Sequence, residues 1–143
     1  MSRHQEKAHL VTQFSDGIKK ALDGKVFPTL VTIQPDGSPQ TTPVCVKREG
    51  GDVLISTTVD RRKTHNMQRD PRVSVMVQPL DNPYVYAELR GTATVSTEGG
   101  QELADELSRK YTGMSYAEFY PESVNEGQRV VVRVTVNKVV GTL

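Results

Sequence analysis

The run Arg129-Val-Val-Val-Arg-Val-Thr-Val-Asn-Lys-Val-Val140 limits what this chain can fold into more than any other segment. β-branched residues dominate it, which favours an extended strand. It is long enough to cross a barrel and to pair with a neighbour on each side. Five further stretches read as strands: 26–33, 41–47, 53–58, 73–77 and 84–96. Turn chemistry separates the first three. Gln34-Pro-Asp-Gly-Ser-Pro39 combines a proline that presets φ with a glycine that accepts positive φ, and Glu49-Gly-Gly-Asp52 is a second hairpin turn. Residues 26–58 therefore read as an antiparallel meander. Gly91 inside a long strand suggests a bulge or a bend at a barrel corner.

Helical periodicity occupies the gaps between strands. In residues 6–23, Phe14, Ile18, Ala21 and Leu22 share one face and Gly24 stops the helix. A short helix runs through 60–69, with Asp60 as its expected N-cap and Asp70-Pro71 as its end. Residues 101–111 carry Leu103, Leu107 and Tyr111 on one face and charged residues on the other. A fourth helix spans roughly 115–120. Six strands joined mostly by hairpins, with short helices between them, give a mainly β (α+β) chain. The expected architecture is a closed or half-closed antiparallel barrel, one domain over 1–143.

Charge and composition narrow the function. The formal net charge is +1, so no large positive field points to nucleic acid. Trp is absent and aromatic residues make up 6%, too few for a base-stacking platform. Cys45 is the single cysteine, which excludes an internal disulfide, and no histidine pair has metal-ligand spacing. No apolar run reaches the roughly 18 residues that a membrane span needs, and the first residues lack a secretory apolar core. The expected location is cytoplasmic. The dinucleotide and P-loop glycine signatures are missing.

The segment Ser56-Thr-Thr-Val-Asp-Arg-Arg-Lys-Thr-His65 carries the chemistry. A strand ends in hydroxyl residues, and three consecutive basic residues open a helix. A helix start offers free N–H groups and partial positive charge. Arg61, Arg62 and Lys63 add charge-assisted donors, and Ser56 and Thr57 add hydroxyls. Basic residues in a first turn oppose the macrodipole by a few tenths of a kcal/mol each, a conflict that a bound anion removes. The pattern points to a phosphate. Against that stands the ordinary reading of three basic residues as a solvated face.

Three segments together resemble the pyridoxamine 5′-phosphate oxidase-like split-barrel superfamily. They are Leu30-Val-Thr-Ile-Gln-Pro-Asp-Gly-Ser-Pro-Gln40, Ile55-Ser-Thr57 and Arg61-Arg-Lys-Thr-His-Asn-Met-Gln-Arg-Asp-Pro-Arg-Val-Ser74. Residues 90–95 fit the same pattern, and the Asp-Gly-Ser-Pro-Gln turn is similar to that of the branch that uses the deazaflavin F420. The resemblance implies a six-stranded split barrel that forms a homodimer with cofactor at the interface. It implies phosphate contacts from Ser56, Arg61 and Lys63, with Arg62 at the arginine position of flavin-binding members. Gln40, Thr41, Thr42 and Val44 match the strand that lines the ring, and Tyr84 and Tyr86 match positions that approach it from the other subunit. The chain closes Asn137-Lys-Val-Val-Gly-Thr-Leu143 rather than with the Arg/His substrate motif of true pyridoxamine-phosphate oxidases, which points away from vitamin B6 oxidation.

No triad, paired carboxylates or activated thiolate appears, as expected where a cofactor supplies the reaction. Lys47, Arg69 and Arg72 are candidates for a groove that takes an anionic cofactor tail. The expectation is an F420-dependent oxidoreductase that passes a hydride to a small organic acceptor. The alternatives are an FMN-dependent oxidoreductase and a non-catalytic F420 or flavin carrier. A haem-binding role would have to rest on His65, the internal histidine.

Overall fold

A computed structural model describes residues 13–143. Residues 6–12 of the expected first helix lie outside the described residues. The remainder forms α1 (Asp16–Asp23), capped by the Ser15 hydroxyl, which accepts from Ile18 N–H at 3.1 Å. Phe14 precedes the helix and is buried with Ile18, Ala21 and Leu22.

Seven strands follow, one more than expected: β1 (Thr29–Ile33), β2 (Pro39–Pro43), β3 (Val46–Glu49), β4 (Asp52–Thr58), β5 (Arg72–Val77), β6 (Ala87–Ser96) and β7 (Arg129–Gly141). The stretch read as one strand over 41–47 is two. Pro43 has no N–H to continue a ladder, and pairing breaks there. The meander over 26–58 is corrected for the same reason. β1 pairs with β2 and β3 with β4, but the sheet order is β2-β1-β5-β6-β7-β4-β3, which puts β2 and β3 at opposite edges. In a flat sheet those edges would lie about 29 Å apart. Only Val44 and Cys45 join them, and three residue steps span at most about 11 Å. The sheet must curl until its edges meet, which makes it an antiparallel split barrel.

β7 pairs with β4 over Arg129–Thr135 and with β6 over Val131–Gly141, the two-sided pairing its length allows. The register shifts at Arg90/Gly91, where glycine is required: a Cβ on Gly91 would lie 2.0 Å from the Thr135 carbonyl oxygen. β6 begins at Ala87 rather than Tyr84, because Asn82 Oδ1 accepts from Tyr84 N–H and holds a turn there.

The barrel interior is apolar, with Leu30, Val46, Ile55, Val75, Leu89, Val132 and Val134 closed off by Ile18 and Leu22 of α1 and Met67 of α2 (Arg62–Arg69). Arg61, not Asp60, is the N-cap of α2, and it makes no side-chain cap bond. Asp60 Oδ1 instead accepts from the Thr58 hydroxyl at 2.7 Å. Outside the barrel, α3 (Gly100–Thr112) lays Leu103 and Leu107 on Leu54. Burial of each leucine contributes about 1.5–3 kcal/mol. A capping box from Ser115 and Glu118 starts α4 (Tyr116–Phe119), and a 3₁₀ turn over Pro121–Asn125 leads into β7. Among the described residues no helix is long and apolar enough to cross a membrane.

Candidate functional site

A cavity of about 230 Å³ opens between α3, α4, the end of β2 and the start of α2. Its wall on the α3 side is mostly apolar, from Ala104, Leu107 and the rings of Tyr111, Tyr116 and Phe119, with the hydroxyl residues Ser108 and Thr112 beside them. The opposite wall is basic: Arg61, Lys63 and Arg129 converge there, with Ser56 between them.

Side-chain alternation on β4 explains Ser56. Val53, Ile55 and Thr57 point into the barrel, so Leu54 and Ser56 face outward, Leu54 under α3 and Ser56 into the cavity. The Ser56 hydroxyl accepts from Arg129 Nη2 at 2.6 Å. Thr57, named with Ser56 from sequence, lies on the other face; its hydroxyl is buried and makes no hydrogen bond.

Lys63 is half-buried and donates from Nζ to the Thr42 hydroxyl at 3.3 Å. Burial, reinforced by the nearby charges of Arg61 and Arg129, pushes its ammonium pKa down. Among the described residues no carboxylate pairs with Arg61, Arg62 or Lys63. The cations therefore face one another, and an anion entering the cavity would relieve their repulsion.

Two hydrogen-bond anchors fix the geometry of this basic wall. Thr64 Oγ1 donates to the Thr58 carbonyl at 2.6 Å, and Asn66 Nδ2 donates to Thr32 Oγ1 and Gln40 Oε1, each at 3.1 Å. Asn66 thus ties α2 to β2, the strand that carries Gln40 and Thr42. On the facing wall, Tyr111 OH donates to the Val26 carbonyl at 2.6 Å and accepts from Val46 N–H, so its phenol is fully committed to the fold. Lys110 likewise donates to the Leu22 and Val46 carbonyls.

Of the positions named from sequence, Val44, Ser56, Arg61 and Lys63 line the cavity and Thr42 touches Lys63. Gln40 lies outside the lining and accepts from Asn66, which is also outside it. Thr41 is exposed on the face of β2 that it shares with the lining residue Pro43 but is itself outside the lining, and Arg62 is exposed at the start of α2, also outside it. Tyr84 is 91% and Tyr86 40% exposed, away from the cavity of this chain. Lys47 pairs with Glu106 at 2.8 Å, Arg72 pairs with Asp70 at 2.7 Å, and Arg69 donates to the Ile33 carbonyl. His65 is exposed on α2. Cys45 lines the cavity, and burial pushes its thiol pKa up, away from nucleophile behaviour.

Sequence reasoning missed Arg129, Tyr116 and Glu126. Arg129 Nη1 donates to Tyr116 OH and to Glu126 Oε2, both at 3.3 Å, and its guanidinium lies 5.0 Å from the Tyr116 ring centroid. Tyr116 OH donates to the Glu126 carboxylate at 2.9 Å. Burial, with Glu126 second, pushes the Tyr116 phenol pKa up to about 12. A signal existed: Glu126 and Arg129 are three residues apart at the entry to the most apolar strand, where an arginine has little reason to be half-enclosed unless it has partners.

The comparisons with known proteins agree with this fold. An F420 reductase structure aligns at 24% identity and a TM-score of 0.75, covering 89% of this chain and 98% of that one. A conserved hypothetical protein from Mycobacterium tuberculosis aligns at 24% identity and a TM-score of 0.73, over 92% of this chain and 85% of that one. General stress protein 26 from Bacillus anthracis aligns at 15% identity and a TM-score of 0.65, over 88% and 91%. The family profile described as pyridoxamine 5′-phosphate oxidase matches residues 14–142, nearly the whole described chain. With the split barrel in place, the chain belongs to the pyridoxamine 5′-phosphate oxidase family.

Proposed function

We propose that this chain is an oxidoreductase that holds the deazaflavin F420, with its phosphate on Ser56, Arg61, Lys63 and Arg129. The observation that carries the reading is the basic wall, in which Arg61 and Lys63 have no carboxylate partner among the described residues and only Arg129 has one, Glu126. Its donor set fits a phosphate: two guanidinium groups, an ammonium and a hydroxyl, within one side of a cavity whose other side is mostly apolar and aromatic. The chemistry a bound deazaflavin supplies is hydride transfer to an electrophilic acceptor.

The protein's own part is to bind, orient and exclude water. Asn66 holds α2 against β1 and β2 and Thr64 holds it against the end of β4, which fixes the height of Lys63. Leu107, Phe119 and the tyrosine rings provide a dry wall. Tyr116 keeps its proton at physiological pH, since burial, with Glu126 second, pushes its phenol pKa up to about 12. The cavity of one chain, about 230 Å³, is smaller than the roughly 300–1,000 Å³ of typical cofactor sites. That shortfall supports completion by a second copy, with exposed Tyr84 and Tyr86 reaching the partner's cofactor. The similar F420 reductase favours F420 over FMN, which remains the second reading because the basic wall accepts either phosphate. A carrier without turnover is separated from both by kinetics. The test is oxidation of reduced F420, followed by its absorbance, with a panel of quinone, nitro and enone acceptors. Acceleration proportional to enzyme supports the reading; tight binding with no acceleration by any acceptor leaves a carrier.

A further inference from the structure

Arg61, Lys63 and Arg129 form the basic wall, and one carboxylate enters the group. Glu126 Oε2 lies 3.3 Å from Arg129 Nη1, and its side chain is 23% exposed against 14% for Arg129. The carboxylate is held in place by Tyr116 OH, 2.9 and 3.0 Å from its two oxygens. It therefore does not swing freely into solvent. Arg129 is shared between this carboxylate and Ser56 of the cavity floor. We propose that Glu126 determines the charge of the phosphate the cavity accepts, favouring a singly charged phosphodiester over a doubly charged phosphomonoester. This rests on the phosphate reading above.

The physical basis is the proportionality of Coulomb energy to ligand charge. Glu126 lowers the positive potential at the basic wall by a fixed amount. A dianion loses twice as much from that reduction as a monoanion at the same place. The phosphate of FMN is a monoester that is largely doubly charged at neutral pH, its second pKa being about 6. The phosphate of F420 is esterified on both sides and carries one charge. A counter-ion built into the site thus narrows the advantage that a bare cluster of cations would give FMN. It does so without touching the ring, so ring recognition and phosphate charge are separable.

The probes are FMN, its phosphate monomethyl ester and riboflavin, which share one ring and differ in phosphate charge. Their affinities are measured by flavin fluorescence for the wild-type chain and for Glu126→Gln, which keeps an acceptor for Tyr116 and Arg129 but removes the charge. If Glu126→Gln tightens the methyl ester about threefold, it should tighten FMN about tenfold, since the two energies stand as one to two. Riboflavin should not change. Glu126→Ala should shift the FMN-to-ester ratio in the same direction, which covers a folding failure of either variant. Tyr116→Phe keeps the carboxylate but frees it from its hydrogen bond, so the ratio should move in the same direction by less than in Glu126→Gln. A ratio unchanged in both Glu126 variants, or moved as much by Tyr116→Phe, overturns the proposal. If FMN and its ester bind no more tightly than riboflavin, the phosphate reading itself fails and takes this one with it.

Discussion

Arg129 at the first position of β7 donates to the hydroxyl of Ser56 in the middle of β4 across 2.6 Å, and this bond lies in the floor of the cavity. It pre-positions a guanidinium that would otherwise be free to pair with solvent or with Glu126 alone. Replacement by methionine keeps bulk and removes the charge. Arg129→Met should weaken phosphate-bearing cofactors by about 1.5–3 kcal/mol, the size of a charge-assisted hydrogen bond, while riboflavin binding is unchanged. Isothermal titration of both ligands checks the split. Equal losses for both would mean that the side chain supports the cavity wall rather than the phosphate.

Lys63 gives a pH dependence. Its pKa is pushed below the usual 10.5, first by burial and then by Arg61 and Arg129. A folded-state pKa below the unfolded value means the unfolded chain holds more protons between the two values, so the Lys63 contribution to stability rises with pH in that window. Binding runs the other way. A phosphate favours the ammonium, so cofactor affinity should be full at neutral pH and fall as pH rises through the lowered pKa. Fluorescence titrations from pH 7 to 10 should show that fall, and Lys63→Arg should delay it. A flat profile in the wild type would remove Lys63 from the site.

Gly100 tests how α3 is seated. A Cβ there would lie 2.2 Å from the carbonyl oxygen of Arg129, which is backbone and cannot step aside. Gly100→Ala should therefore force α3 away from β7, cost about 2 kcal/mol or more, and weaken cofactor binding as Arg129 shifts. Urea denaturation gives the first figure and titration the second. Wild-type values in both would show that the helix start adjusts freely.

Asn66 is buried in the polar link between α2 and β2. Asn66→Ala removes the donor to Thr32 and Gln40 and should cost about 1–3 kcal/mol in urea denaturation. Its effect on cofactor affinity should be smaller than that of Lys63→Ala, because Asn66 acts through position alone. A larger effect would mean Asn66 touches the ligand.

Local patterns were legible in the sequence where one residue type has one physical use. The Gln34–Pro39 and Glu49–Asp52 turns, the bulge at Gly91, the apolar face of α3 and the two-sided pairing of β7 all follow from such rules. The strand over 41–47 was misread because its alternation continues across Pro43, while the ladder does not. That break sends β2 and β3 to opposite edges, a long-range fact that no local window contains. The site was half legible. Ser56, Arg61 and Lys63 lie within one segment and came out together. Arg129 and Tyr116 reach the cavity from a region distant in sequence, with Glu126 bonded to both outside the lining, and only the pairing of β7 with β4 brings Arg129 to Ser56.

The most direct test of the account is a fluorescence titration of the chain and of Lys63→Ala with F420 and, separately, with FMN. The account predicts saturable F420 binding at one per chain, tighter than FMN, and weakened in Lys63→Ala by about 1.5–3 kcal/mol. No binding of either cofactor, or F420 binding of equal strength in Lys63→Ala, would contradict it.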